Sequence, residues 1–210
     1  GWEIRRGAVP GETSSVTSRF RMSWLLLCFV ITAAVYAGVE TSAFSWIPYY
    51  WDRRFGDAAF LTGAETIAGF WIMFSLSRIG MGAALEKLGA RRSLLVLGAA
   101  MVAVLVLWAW VPGHGMVELV LVLLLGLVLG CMIPTLLVVT NLEFPNQSAA
   151  VSSVFFIFVT AVAAGCPLLI GRVADAYGVG ALPGVFAANG LLFLLLLVCL
   201  QWVLRRRDNP

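Results

Sequence analysis

Glu40 and Glu65 are carboxylates set inside apolar runs, where charge is rarely tolerated. Glu40 lies in Tyr36-Ala-Gly-Val-Glu40-Thr-Ser-Ala-Phe-Ser-Trp46-Ile-Pro48-Tyr-Tyr-Trp51, near the middle of the first run. A charged group at the centre of a bilayer costs on the order of 2.5–3.5 kcal/mol even on lenient insertion scales, so it has a partner or a task. An acid in a low-dielectric site can hold a proton near neutral pH. Glu40 is therefore the candidate proton site, with Glu65 as relay or as a hydrogen-bond partner for a solute. Adjacent antiparallel helices would hold the two acids at similar depth, meeting across one cavity. The structural alternative is that each acid bonds a backbone group or hydroxyl and only locks the bundle.

Tyr36, Glu40 and Phe44 follow at i, i+4 and share one helix face with Ile47. Tyr36, Phe44, Trp46, Phe70 and Trp71 could stack on the apolar faces of a sugar-like ligand, with Tyr36 and Trp46 leading; otherwise they are packing or interfacial aromatics. Asn189 and Gln201 are isolated polar residues in the last run, and Asn189 is the better candidate for an interhelical hydrogen bond. Ser152 and Thr160 are expected to bond back to their own helix. His114 stands alone in a turn. No Ser/His/Asp set, metal-ligand cluster or phosphate-cradling loop occurs, so no enzyme activity, metal or cofactor is expected. Cys28, Cys131, Cys166 and Cys199 each sit in an apolar segment without zinc spacing and are expected to pack helices.

The elements that must hold these residues are membrane helices. Of 210 residues, 61% are hydrophobic and 12% charged, against roughly 25% charge in soluble domains. The mean hydropathy is +0.96. Residues 1–21 are polar, without an apolar signal core, and read as a cytoplasmic segment. Six spans are expected at about 22–50, 58–81, 93–111, 116–141, 148–170 and 182–204, each long enough to cross roughly 30 Å of hydrocarbon, followed by a tail at 205–210. Trp24 and Tyr49-Tyr50-Trp51 would mark the interfaces of the first span. Gly126 and Gly130 have small-xxx-small spacing, and Pro134 is a kink candidate. Placing both termini in the cytoplasm puts eleven Lys and Arg residues inside and three (Arg53, Arg54 and Arg172) outside, as the positive-inside rule requires. These cations cap apolar segments and form no nucleic-acid-binding surface. No internal repeat is evident, but Gly82-x3-Glu86-Lys87-x-Gly89 and Gly171-x3-Asp175-x2-Gly178 are similar turns.

Gly82-Ala-Ala-Leu-Glu86-Lys87-Leu-Gly89-Ala-Arg91-Arg92 resembles the major facilitator signature Gly-x-Leu-x-Asp-Arg-x-Gly-Arg-Arg. Here glutamate replaces the aspartate, lysine the arginine and alanine the leucine, and one extra residue precedes the arginine pair. The resemblance implies that Arg78, Gly82, Glu86, Lys87, Gly89, Arg91 and Arg92 form a cytoplasmic gate loop. Tyr-x-Gly-x-Glu followed by Trp-Ile-Pro is similar to the seventh helix of fucose-permease-like sugar transporters, and Phe70-Trp71 with Ser77-Arg78 to the eighth. Over residues 22–204 the resemblance implies an all-α membrane protein: six transmembrane helices, half of a twelve-helix fold.

The implied function is proton- or sodium-coupled symport of a sugar or similar small polar solute. Tyr36, Glu40, Trp46, Glu65, Trp71 and Asn189 would form the proton and solute site. The implied partners are the solute, the coupling ion, the lipid bilayer, and a missing six-helix half or a second copy. The expected location is a bacterial inner (plasma) membrane. The initial Gly1 suggests a fragment. Alternatives are a non-transporting receptor or scaffold with structural acids, and a half-size transporter acting as a homodimer.

Overall fold

The computed structural model describes residues 23–111 and 113–208, without the side chains at 57, 81–86 and 208. The expected cytoplasmic segment 1–21 lies outside the described residues. The helices are α1 (Trp24–Phe55), α2 (Gly63–Leu88), α3 (Ala90–Trp110), α4 (Gly115–Leu129), α5 (Met132–Glu143), α6 (Ser148–Tyr177) and α7 (Leu182–Asp208). Short 3-10 turns join several of them, and no strand occurs among the described residues. Five rods are long and apolar enough to cross a membrane: α1, α3, the 29-residue Gly115–Glu143, and α6 and α7 with their leading turns. The 26-residue α2 packs against α1 and α4.

Local chemistry sets the helix ends. Ser23 caps α1, its Oγ accepting the Leu26 N–H at 3.2 Å. Gly89 after α2 and Gly178 after α6 have φ of +75° and +80°, the left-handed region that glycine enters without a Cβ penalty. These glycines close the two similar turns. The helices run further than hydropathy alone indicates. α1 continues through Pro48 and the aromatic cluster to Phe55, so Tyr50 and Trp51 are buried and only Tyr49 is exposed, contrary to an interfacial belt. α2 extends to Leu88 and absorbs most of the expected charged connection, and α6 extends through the expected loop to Tyr177. Long amphipathic ends still make intrahelical hydrogen bonds, and polar residues there meet the interface at little cost.

α1 is the innermost rod, with Phe29, Tyr36, Ile47, Tyr50 and Trp51 fully enclosed. Its main partners are α6 and then α7; α3 pairs with α7, and α2 with α4. This pairing is unchanged when the first three rods are exchanged for the last three: α1 with α6 corresponds to α4 with α2, and α1 with α7 to α4 with α3. The two glycine-closed turns fall at corresponding places. The repeat missing from the residue pattern is thus present in the packing, because lipid-facing and packing positions accept many apolar residues. Ser23 and Arg207 line one groove, so α1 begins and α7 ends at the same end of the bundle.

Candidate functional site

The site forms around the break between α4 and α5. Pro134 has no N–H, so the Gly130 carbonyl four residues earlier lacks its usual helical donor. Arg78 supplies one from α2, its Nε donating to Gly130 O at 3.1 Å. Beside it the Tyr36 hydroxyl donates to Leu129 O at 2.6 Å, and the Cys131 thiol donates to Ser77 O at 2.9 Å. Non-helical backbone at membrane depth is tolerated only where protein groups satisfy it or it lines a cavity. Here side chains from α1 and α2, with Cys131 of the break itself, hold it together.

Glycine makes the close approach possible. A Cβ on Gly130 would collide with the Phe74 carbonyl oxygen and Ser77 Oγ, and one on Gly126 would lie 2.5 Å from the Phe70 carbonyl oxygen. α4 therefore rests directly on the α2 backbone, which brings Arg78 to the break.

Glu40 is one turn beyond Tyr36 on α1 and half-buried, in electrostatic range of Arg78, which is exposed. The Arg78 guanidinium lies 4.6 Å from the centroid of the Phe74 ring. Phe74 meets Trp71 at 5.1 Å, and Trp71 meets Phe44 at 5.0 Å, between ring centroids. A wall of three rings thus joins Phe44, one turn from Glu40, to Arg78. The site carries one acid, one base and an aromatic floor.

Several expectations change. Glu65 does not meet Glu40. It sits in the first turn of α2, where its Oε2 accepts the Thr62 N–H at 2.8 Å and the Thr62 hydroxyl at 2.9 Å, while Thr62 Oγ1 accepts the Glu65 N–H at 3.2 Å. This is a capping box. α2 begins at Gly63, against the Pro48 carbonyl, about two helical turns along α1 from Glu40. Trp46 is used in packing: its Nε1 donates to Pro167 O at 3.0 Å and its ring lies on Gly171, joining α1 to α6. Trp71 is 41% exposed and belongs to the aromatic floor. The Asn189 side chain lies beside Gly38. Gln201 makes the interhelical bond instead, donating to Arg91 O at 3.3 Å. Ser152 donates to Asn141 Oδ1 at 3.3 Å rather than to its own helix.

The gate set divides. Arg78 leaves it for the middle of the bundle. Arg91 forms an ion pair with Glu143, tying α3 to α5, while Lys87 and Arg92 are exposed and Gly89 closes α2. Gly82 and Glu86 fall in the stretch whose side chains lie outside the described residues.

One buried acid escaped the sequence reading. Glu118, fully enclosed in the first turn of α4, accepts from Tyr50 Oη at 2.7 Å, Trp108 Nε1 at 2.9 Å and the Gly113 N–H at 2.6 Å. The signal was present: an acid just inside the helix that follows Pro112-Gly-His-Gly115. It joins α1, α3 and α4 at the end of the bundle opposite the termini.

Comparison with solved structures relates this geometry to known folds. A point mutant of the peptide transporter POT, crystallised with sulfate, matches with a TM-score of 0.70 and 20% identity, over 83% of this chain and 37% of that one. The same mutant with alafosfalin gives 0.71 and 19%, with the same coverage. At this identity the likeness is one of fold alone: the chain folds like part of these transporters, and nothing in the likeness selects the fucose-permease-like branch. The chain spans little more than a third of these transporters' length. No family model and no curated protein matches it. Its five long apolar rods, in a fold shared with membrane transporters, mark the chain as an integral membrane protein.

Proposed function

We propose that the chain is a six-helix half of a secondary transporter, coupling proton movement to symport of a small polar solute by alternating access against a second half. The observation that carries this reading is the pairing of half-open Glu40 with Arg78 at a broken helix in mid-bundle. Transporter sites are commonly built near the midplane from discontinuous helices. Both groups are open to the space a facing half would close. Protonation of Glu40 changes the site's charge by one, which is how a proton gradient would bias the inward- and outward-facing states. The sugar-like solute implied by the sequence resemblance would place hydroxyls on Glu40 and Arg78 and a ring face on Trp71.

Both termini are proposed to be cytoplasmic in a bacterial inner membrane. With Arg78 removed from the loop count, the balance is ten cations against three. Arg91 and Glu143 then lie at the cytoplasmic end, and Glu118 at the outer end.

The test is uptake by the whole protein in proteoliposomes under an imposed inward proton gradient. Accumulation should follow the gradient and collapse to equilibration in Glu40→Gln. If Glu40→Gln accumulates solute with unchanged pH dependence, Glu40 is not the proton site.

A further inference from the structure

We propose that this site takes an organic monocarboxylate, with the solute's carboxylate on Arg78 and its apolar body on the partly open rings of Trp71 and Phe44. The proposal rests on the transporter reading above and puts a monocarboxylate in place of the sugar-like solute that the sequence resemblance implies.

Three observations carry it. The first is the way Arg78 is held. Its Nε is used by Gly130 O and its Cζ sits 4.6 Å from the centroid of the Phe74 ring, so the group is held at two points, while its terminal nitrogens have no partner among the described residues. A guanidinium fork pre-oriented in this way matches the two oxygens of a carboxylate. A neutral sugar hydroxyl uses neither the charge nor the parallel geometry.

The second is the floor. Beyond Phe74, the wall continues to Trp71 and Phe44, a partly open aromatic surface suited to a compact apolar or aromatic body.

The third is charge. With Glu40 ionised, Arg78 and Glu40 sum to zero. A monoanion on Arg78 leaves the site neutral only if Glu40 accepts one proton, so one proton accompanies each anion and the loaded site is uncharged while the two halves rock around it. A dianion would leave it negative. Few other groups interfere. Around Glu40 the titratable side chains are Arg78 from α2, Tyr36 from α1 itself, Cys131 at the head of α5, which faces Tyr36, and Cys166 of α6, beside Gly38. Residues 148–171 of α6 and 182–204 of α7 carry no acidic or basic side chain, and α7 brings neutral Asn189.

The experiment is thermal unfolding of the whole detergent-solubilised protein with benzoate, benzamide, lactate, glucose or sulfate, alongside proton-gradient-driven uptake of lactate and glucose in proteoliposomes. Benzoate and lactate should raise the unfolding temperature, while benzamide, glucose and sulfate should not. Arg78→Lys, which keeps the charge but not the fork, should weaken benzoate binding roughly ten- to hundredfold. Glu40→Gln should keep benzoate binding but lose its pH dependence. The proposal is overturned if benzamide or glucose stabilises as well as benzoate, if sulfate does, or if Arg78→Lys binds benzoate unchanged. Gradient-driven uptake of glucose without a carboxylate effect would sink the monocarboxylate assignment and leave the transporter reading standing. Carboxylate stabilisation with no gradient-driven uptake would leave the site and sink the transporter.

Discussion

Single side chains decide the chemistry, and they were unequally legible. Glu40 stood out because an acid in an apolar run has a cost that demands an explanation, whereas Tyr36, expected to stack on a solute, is fully enclosed and gives its hydroxyl to Leu129 O. Arg78 was misplaced because a cation near the end of an apolar count is normally assumed to reach for the interface. Only the missing N–H of Pro134, fifty-six positions along the chain, makes Arg78 useful at the centre, and no local pattern reports that. Glu118 was missed because its three donors come from different segments. Tyr36→Phe should leave Leu129 O without its side-chain donor and cost ~1–3 kcal/mol, read as a lower unfolding temperature in detergent. Glu118→Ala should cost more, since it strands the Tyr50 hydroxyl, the Trp108 indole N–H and the Gly113 N–H together. If Glu118→Ala unfolds no earlier than Tyr36→Phe, Glu118 does not fasten its end of the bundle.

Among the elements, the broken rod is the one whose sequence best explains its structure. Gly126, Gly130 and Pro134 follow at four-residue intervals, so two contacts and one kink lie on nearly one face of the helix. The kink and the small-residue seam were legible. The partner was not, because small-xxx-small spacing names an interface without naming the helix across it. Gly130→Ala and Gly126→Ala would push a methyl into the α2 backbone, which cannot rotate away, so each should cost roughly 1–3 kcal/mol and move Arg78 off the break. Gly165→Ala and Gly184→Ala are the controls, since an added Cβ there meets open space and each removes a flexible residue from a helix. Comparing the four unfolding temperatures separates close approach from helix propensity. Equal losses at all four positions would show that α2–α4 contact is not what these glycines provide.

At the scale of the molecule, the helical class was visible in hydropathy, while the exchange symmetry of the packing was not. An apolar face needs only to be apolar, so two repeats can drift apart in sequence while keeping the same partners. That symmetry makes orientation testable at the loops. His114 and Asn146 are both exposed and lie at the two ends of the Gly115–Glu143 rod and its following turn. A single cysteine at each position, in a background with Cys28, Cys131, Cys166 and Cys199 replaced by serine or alanine, should report opposite sides of the membrane. His114→Cys should react with a membrane-impermeant maleimide in intact cells, and Asn146→Cys only after permeabilisation. The expected direction follows from the ten-to-three imbalance of Lys and Arg, which by the positive-inside rule predicts the Asn146 end inside. Reversed labelling would invert the orientation and place Glu118 rather than the Arg91–Glu143 pair beside the cytoplasm. Labelling of both from one side would mean that the rod does not cross the bilayer, and the midplane position of Arg78 and Glu40 would fall with it.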